Sequence, residues 1–292
     1  MSAGPRHPYV DGTFYPAQRE HLGALVDSLL AGAARTAATG PDPHQLVAAV
    51  GLLVPHAGLV YSGSIAALGW RLAGTIQPTT IVLAGTDHQA LAAGIGVWTG
   101  GPWQTPLGSA EIDRDLATEI FELGPPFAAD DGAHLGEHSI EVQLPFILRA
   151  RPGARIVPLA VSPRLSTHRE AGAALGRLLA AHRARGEKIL LAASSDMAHY
   201  PTDEVCRQVD AQLLEPLLRL DAPALHELES SLLRSRLPGL LCGLCGIDPV
   251  RVTIAAALEM GAGRGVLLGA ATSADAGGDP RRTVGYASAA FV

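Results

Sequence analysis

The sequence predicts an α/β fold in which a largely parallel central sheet is flanked by helices on both faces. Short apolar runs of strand length alternate with helical segments along the 292 residues. Hydrophobic residues make up 48% of the chain but aromatic residues only 4%, so Ala, Val, Leu and Ile must build the core. The chain shows no fixed-period repeat. Its length allows one large domain or two small ones, and the continuous alternation favours a single domain over residues 1–292.

Seven apolar runs predict the strands, and eight intervening segments predict the helices. The strands are expected at residues 47–54, 80–84, 94–98, 155–161, 188–193, 265–272 and 284–292. The helices are expected at residues 21–31, 64–72, 113–123, 139–150, 167–183, 202–220, 222–234 and 249–260. The small-residue stretches 31–43 and 273–283 predict surface loops. A sheet of this kind binds ligands beyond the carboxyl ends of its strands.

Charge and hydropathy exclude several classes of partner. The formal net charge is -6 and the chain contains no Lys/Arg run, so it lacks the basic surface of a nucleic-acid-binding protein. No apolar segment reaches membrane-spanning length uninterrupted, and the N-terminus lacks the apolar core of a signal peptide. We therefore expect a cytoplasmic protein with no membrane partner. Three cysteines are too few for a disulfide framework, and buried thiols, ligands or redox groups remain the alternatives.

Histidine follows three of the predicted strands. His56 stands in "PHAG" after the first, His88 in "AGTDH" after the second, and His199 in "SSDMAH" after a later one. A lone histidine at a strand end is usually an ordinary loop residue, but parallel strands bring their carboxyl ends to one edge, so three histidines predict a joint site. No Gly-x-Ser-x-Gly elbow surrounds Ser194 or Ser195 in this motif, which argues against a serine nucleophile. Asp196 is interpreted as orienting His199 or a metal-bound histidine.

The segment "EHSIEVQLPF" places more polar groups at the start of a predicted helix. Glu137 and Glu141 are interpreted as acidic residues favoured by the helix dipole. His138 shares a helical face with Glu141, and we expect it to support the site or to bind substrate.

Cys242 and Cys245 form a Cys-x-x-Cys pair before the last predicted helix. A thiol near a helix N-terminus has a stabilised thiolate, which suits metal binding or disulfide exchange. Two small buried cysteines are the structural alternative.

Seven motifs in order resemble the Memo-like protein family, called AmmeMemoRadiSam system protein B in prokaryotes. They cover nearly the whole chain: "GTFYP", "PHAGLVYSG", "AGTDH", "EHSIEVQLPF", "SSDMAHY", "CGIDPV" and "VGYASAAF". The resemblance implies a fold similar to class III, LigB-type extradiol dioxygenases. It also implies an iron or copper centre with His56, His88 and Cys245 as ligands. His199 would stand where the dioxygenases keep their acid/base histidine.

Three protein ligands leave coordination positions open, as in catalytic rather than structural metal sites. Fe(II) is the first choice because such sites suit dioxygen activation, copper is second because the thiolate is soft, and zinc is third. The leading hypothesis is a non-haem metal-dependent oxidoreductase, dioxygenase-like, in which His199, Asp196 and His138 assist catalysis on a small-molecule substrate. Partner proteins of an AmmeMemoRadiSam system are a further implication of the resemblance. The alternative is a scaffold protein whose cleft binds peptides or phosphopeptides.

Overall fold

An eight-stranded sheet forms the centre of the protein. The computed structural model describes residues 4–37 and 46–292. The strands are β1 (Gly51–Val54), β2 (Thr80–Thr86), β3 (Ile95–Val97), β4 (Trp103–Thr105), β5 (Gly108–Ala110), β6 (Phe127–Ala129), β7 (Arg155–Val161), β8 (Ile189–Ser194), β9 (Gly265–Thr272) and β10 (Gly285–Phe291). The helices are α1 (Arg19–Ala37), α2 (Leu59–Ile76), α3 (Arg114–Phe121), α4 (Leu144–Ala150), α5 (His168–Ala184), α6 (Asp203–Leu218), α7 (Ala222–Arg234) and α8 (Ile247–Glu259). Short 3-10 turns cover Gly132–His134, Glu141–Gln143 and Ser273–Ala276.

The sheet is parallel at its centre and mixed towards its edges. Its strand order is β6-β3-β7-β2-β8-β1-β10-β9, and β4 pairs with β5 in a separate hairpin. The four adjacent strands β7, β2, β8 and β1 run parallel, whereas β3 and β10 are antiparallel to their inner neighbours. The connection that leads from β2 into β3, residues 87–94, is too short for a parallel crossover, which requires a dozen or more residues and usually a helix. The predicted α/β class is confirmed, with antiparallel strands added outside the parallel core.

Helices cover both faces of the sheet. In β1, Leu52 and Val54 join the apolar cluster of α1, α2 and α4, while Leu53 between them joins the cluster of α6, α7 and α8. Successive side chains of a strand point to opposite faces, so this alternation is expected for a sheet buried on both sides. None of the helices in the described ranges combines the length and the hydropathy that a membrane span requires.

Several element boundaries differ from the sequence prediction. The first helix runs through to Ala37, so the loop predicted at residues 31–43 is wrong up to residue 37, and its remainder lies outside the described residues. The first strand begins only at Gly51. The helix predicted from residue 139 becomes regular only at Leu144. The three-residue strands β4, β5 and β6 were not predicted, because strand alternation is recognised over four to eight residues and no apolar run of that length marks them.

Candidate metal centre

Two strand ends and one loop deliver the predicted ligands to one point. His56 lies two residues beyond β1 and His88 two residues beyond β2, while Cys245 lies in the loop that leads into α8. One donor atom from each of the three residues lies within 4.8 Å of the other two. The Cys245 Sγ and the His56 Nε2 are 3.1 Å apart. The three side chains therefore form an arrangement that could hold a metal ion.

The inner nitrogen of each imidazole is held by a hydrogen bond, which leaves the outer nitrogen for the metal. The His56 Nδ1 lies 3.1 Å from the Ser194 Oγ. That hydroxyl donates to the Ser139 carbonyl at 2.7 Å. The His88 Nδ1 lies 2.9 Å from the Glu137 Oε1. Hydrogen bonds of this kind set the ring orientation and the tautomer of metal-binding histidines.

Glu137 is the buried carboxylate that organises the His88 side of the site. Besides the His88 ring, it accepts from the backbone N–H groups of His88, His138 and Ser139 at 2.8, 2.8 and 2.7 Å. The sequence interpretation of Glu137 as a residue favoured by a helix dipole is wrong, because no regular helix begins there. Its contact with the His88 ring was missed, since nothing local in the sequence links residues 49 positions apart.

Glu141 was predicted as an acidic residue favoured by a helix dipole, but in the structure it binds the N-terminal segment. It is fully buried and accepts hydrogen bonds from the Arg6 guanidinium and the Tyr15 hydroxyl, both at 2.6 Å. These contacts fasten the N-terminal segment to the site. The segment brings the Phe14 ring to 4.7 Å from the His138 ring, centroid to centroid. The "GTFYP" motif thus supplies one wall of the cleft.

Asp196 connects the ends of β1 and β8. Its Oδ1 accepts from the backbone N–H groups of His56 and Ala57 at 2.7 and 3.1 Å. Its Oδ2 lies 3.8 Å from the His199 Nε2, a distance for an electrostatic contact rather than a hydrogen bond. Burial favours the neutral carboxyl, but the imidazoles of His56 and His199 outweigh burial and lower the Asp196 pKa to about 2.

Asp87, which precedes His88, does not join the donor set. The Asp87 carboxylate is buried, and its Oδ2 accepts from the Ala92 N–H at 2.6 Å inside its own turn. The groups of three or more potential ligands in the described residues are His56/His88/Cys245, His88/Glu137/His138 and Asp196/His199/Cys245.

The imidazole groups of the site favour the thiolate form of Cys245. Burial favours the neutral thiol, but His56, His199 and His88 outweigh burial and lower the Cys245 pKa well below its usual value. Burial likewise disfavours a charged His88, yet Cys245 and Glu137 outweigh burial and raise its pKa to about 10. Burial opposes protonation of His199 too, but Asp196 and the thiols raise its pKa. A metal cation at the proposed ligands would take the place of the proton on His88 and of any proton on Cys245, whereas His199 is not a proposed ligand.

The donor set fits a first-row transition metal. Two oriented imidazoles and a thiolate suit zinc, copper or iron. With metal–donor distances of about 2.0 Å for nitrogen and about 2.3 Å for sulfur, tetrahedral nitrogen and sulfur donors stand roughly 3.5 Å apart. The 3.1 Å contact between Cys245 and His56 would need to open by only a few tenths of an ångström.

His138 and Cys242 flank the centre. Burial and the neighbouring His56 lower the His138 pKa to about 4, so its ring is neutral at pH 7. Cys242 is a free thiol whose pKa is raised by burial. Its carbonyl accepts from the His199 N–H at 3.0 Å. Cys206 is free and buried outside this cleft, with its Sγ 3.8 Å from the Asp210 Oδ2.

Gln143 is a further residue behind the site whose role the sequence did not reveal. Its amide nitrogen donates to the Ser194 Oγ and to the Pro55 carbonyl, both at 2.9 Å. Its amide oxygen accepts from the Trp70 Nε1 at 2.8 Å. Gln143 therefore fixes the hydroxyl that holds His56. The Ser194 hydroxyl donates to the Ser139 carbonyl and contacts the His56 ring, and no nucleophile elbow surrounds it.

The candidate metal centre lines a cleft of about 720 Å³. The other walls of the cleft carry aromatic and apolar side chains and one guanidinium. These are Phe14, Tyr61, Tyr200, Leu241, Arg282 and Tyr286. The cleft has the size of a small-molecule site, for which about 300–1,000 Å³ is usual.

Comparison with known proteins gives consistent matches along the chain. The family model described as Memo-like protein matches residues 6–290. A MEMO1 family protein of Pyrobaculum arsenaticum is 38% identical over 292 residues, covering 98% of each chain. A MEMO1 family protein of Aquifex aeolicus is 35% identical, covering 98% of this chain and 99% of its own.

A solved structure shares the fold. The uncharacterized protein JW3007 from Escherichia coli K12 superposes with a TM-score of 0.50 at 18% identity, covering 83% of this chain and 99% of its own. At that identity the likeness concerns the fold alone.

Proposed function

The chain belongs to the Memo-like protein family, and from this premise we propose that it is a non-haem, metal-dependent oxidoreductase acting on a small substrate. The observation that supports this most directly is the convergence of His56, His88 and Cys245, with one donor atom each within 4.8 Å of the others. Three protein donors leave positions for substrate and oxygen, which a closed structural site would not.

Iron(II) is the proposed metal, ahead of copper and zinc. Bound iron(II) would supply one-electron chemistry and a shared binding position for dioxygen and substrate. The oriented rings of His56 and His88 and the ionised Cys245 would hold it. Copper follows because a thiolate is a soft ligand, and zinc would direct the chemistry to hydrolysis.

His199 and His138 are the proposed proton carriers. His199 keeps its proton at neutral pH because Asp196 and the thiols raise its pKa, which suits a proton donor. His138 is neutral at the same pH, which suits a proton acceptor. Two titratable groups whose surroundings push their pKa values apart are the usual signature of an acid and a base. Asp196 holds the backbone of His56 and faces His199.

The alternative is a binding protein that uses the cleft for a peptide or phosphopeptide. The volume of about 720 Å³ suits a small molecule. The proposed metal ligand Cys245 supplies a thiolate where the extradiol dioxygenases have a carboxylate. Extradiol activity therefore need not follow from the fold, and this supports the alternative. A binding protein would also have no need for ring nitrogens held as those of His56 and His88 are.

The test is the metal content of the purified protein together with its oxygen consumption in the presence of a reductant. We expect about one iron or copper per chain and oxygen uptake that falls with metal content. His56→Ala should lose both. The matched control is His182→Ala, which removes another buried imidazole paired with carboxylates outside the cleft and should keep both. Wild-type protein that holds no metal and instead binds phosphotyrosine peptides would favour the binding-protein alternative.

A further inference from the structure

The rim of the cleft carries a guanidinium without a carboxylate partner. The Arg282 Cζ lies 4.1 Å above the centroid of the Tyr200 ring. No carboxylate in the described part of the chain comes within 4.0 Å of the Arg282 nitrogens. Its neighbour Arg281 is different, because its guanidinium makes a two-pronged contact with Asp279 at 2.8 and 3.0 Å. The charge of Arg282 is therefore free to meet an anion in the cleft.

The aromatic ring under Arg282 belongs to Tyr200, whose backbone conformation is energetically unfavourable. Tyr200 has a φ of 74°, a left-handed conformation that is unfavourable for a large side chain and that clusters at binding sites. The backbone is fixed there by a bond from the Tyr200 N–H to the Thr283 carbonyl at 2.7 Å. The next residue inwards is His199, whose ring centroid is 5.4 Å from that of Tyr200. The strained backbone of Tyr200 thus places its aromatic ring between Arg282 and the candidate metal centre.

Contacts lead continuously from Arg282 to the candidate metal centre. Arg282 stacks on Tyr200, Tyr200 packs on His199, and His199 offers a donor atom within 4.8 Å of one on Cys245. All four residues line the same cleft. A molecule of a few ring widths can therefore touch the guanidinium with one end and the centre with the other.

We propose that the substrate of this cleft is a small organic carboxylate whose anionic group binds the Arg282 guanidinium while its reacting end faces His56, His88 and Cys245. The planar fork of an arginine matches a carboxylate with two parallel hydrogen bonds, and stacking on an aromatic ring keeps that fork oriented. One uncompensated cation matches a single negative charge. A phosphate dianion would bring a second negative charge that the Arg282 guanidinium alone does not match.

The assignment of the reacting end rests on the proposed function, whereas the anion site can be tested without it. Benzoate is the probe, benzamide is its neutral isostere, and phenyl phosphate is the competing anion. Dissociation constants are measured by ligand-observed NMR on the full chain, metal-loaded and metal-stripped, with metal content determined on the same samples. The variants are Arg282→Gln and Arg282→Lys, with Arg281→Gln as the matched control.

We expect benzoate to bind more tightly than benzamide and to lose about tenfold or more in Arg282→Gln, the loss expected when one charge-assisted hydrogen bond of about 1.4 kcal/mol is removed. The benzoate affinity of Arg282→Lys should lie between those of wild type and Arg282→Gln, because lysine keeps the positive charge but lacks the planar fork of the guanidinium. Benzamide binding and Arg281→Gln should change less than twofold. Metal content should be the same in every variant.

The proposal would be overturned by no benzoate binding in wild type, by equal binding of benzoate and benzamide, or by unchanged benzoate binding in Arg282→Gln. Tighter Arg282-dependent binding of phenyl phosphate than of benzoate would replace the carboxylate by a phosphate and would also overturn it. Arg282-dependent benzoate binding by a wild-type protein that takes up no metal would uphold the anion site and refute the metal-dependent oxidoreductase. The two proposals can therefore fail separately.

Discussion

Replacing Glu137 by Gln should weaken metal binding although Glu137 is not a proposed ligand. The carboxylate is 1% exposed and holds the His88 ring through its Nδ1. A glutamine keeps the size of the side chain but puts an NH₂ group where one oxygen now accepts. The carboxylate accepts from three backbone N–H groups and contacts the His88 ring, and the His138 Nδ1 lies 3.5 Å from its Oε1. An NH₂ group in place of one oxygen therefore leaves at least one N–H donor without its acceptor.

The contribution of the Glu137 carboxylate to the stability of the folded protein follows from its pKa. Burial favours the neutral form of Glu137, but the His88 ring outweighs burial, and the pKa falls from 4.5 to about 2. A difference of this size corresponds to roughly 3 kcal/mol of preference for the ionised form in the folded protein. Since the folded pKa is depressed, this contribution is complete above pH 4.5 and is lost as the pH falls towards 2. For metal binding, loss of a carboxylate that orients a histidine usually costs about 10- to 100-fold in affinity.

The assay is competition with a chelator of known affinity at pH 7.5, with thermal unfolding of the metal-free protein recorded beside it. Glu137→Gln should bind the metal about 10- to 100-fold more weakly and unfold at a lower temperature. The matched control is Glu187→Gln. It removes another carboxylate from an imidazole, at 2.8 Å from the His182 Nδ1, away from the cleft, and metal affinity should not change.

Wild-type metal affinity in a folded Glu137→Gln protein would refute the role assigned to this carboxylate. It would mean that the His88 ring is held by packing alone. Equal losses in Glu137→Gln and Glu187→Gln would also refute it, because the effect would then be one of general stability.

The remaining predictions concern the thiols, the proton carriers and the N-terminal anchor. Cys245→Ser should lose most of the metal, because a neutral hydroxyl replaces a thiolate poorly, whereas Cys242→Ser should keep it; equal metal content in the two purified variants would contradict the ligand assignment. His199→Ala and His138→Ala should each leave metal content unchanged and lower oxygen uptake by about 100-fold or more, the usual contribution of a positioned acid or base, and loss of the metal would show instead that they are ligands. Glu141→Gln should lower the free energy of unfolding by about 3–5 kcal/mol in denaturant titrations, since it leaves the buried Arg6 charge unpaired; a loss below 1 kcal/mol would contradict this.

The predictable part of the site is the part that the sheet itself dictates. The apolar runs ending before His56 and His88 could be recognised locally, and parallel strands bring such ends together whatever the rest of the chain does. The partners of these histidines could not be recognised in this way. Glu137 meets His88 over 49 positions and Glu141 meets Arg6 over 135, and single side-chain hydrogen bonds leave no periodic pattern. Alternation of apolar residues reports which face is buried and carries no information on which polar group faces another.

The position of Cys245 depends on a backbone approach that a motif indicates only indirectly. The loop before α8 lies so close to the end of β8 that the Gly246 N–H donates to the Ser195 Oγ at 2.9 Å. A Cβ at Gly246 would stand 2.7 Å from both the Ser194 carbonyl oxygen and the Ser195 Cβ, closer than such atoms can pack. A residue other than glycine would push the loop away from β8 and carry the neighbouring thiol away from His56. The Cys-Gly pair therefore works as a unit, in which the glycine sets the distance and the cysteine supplies the donor.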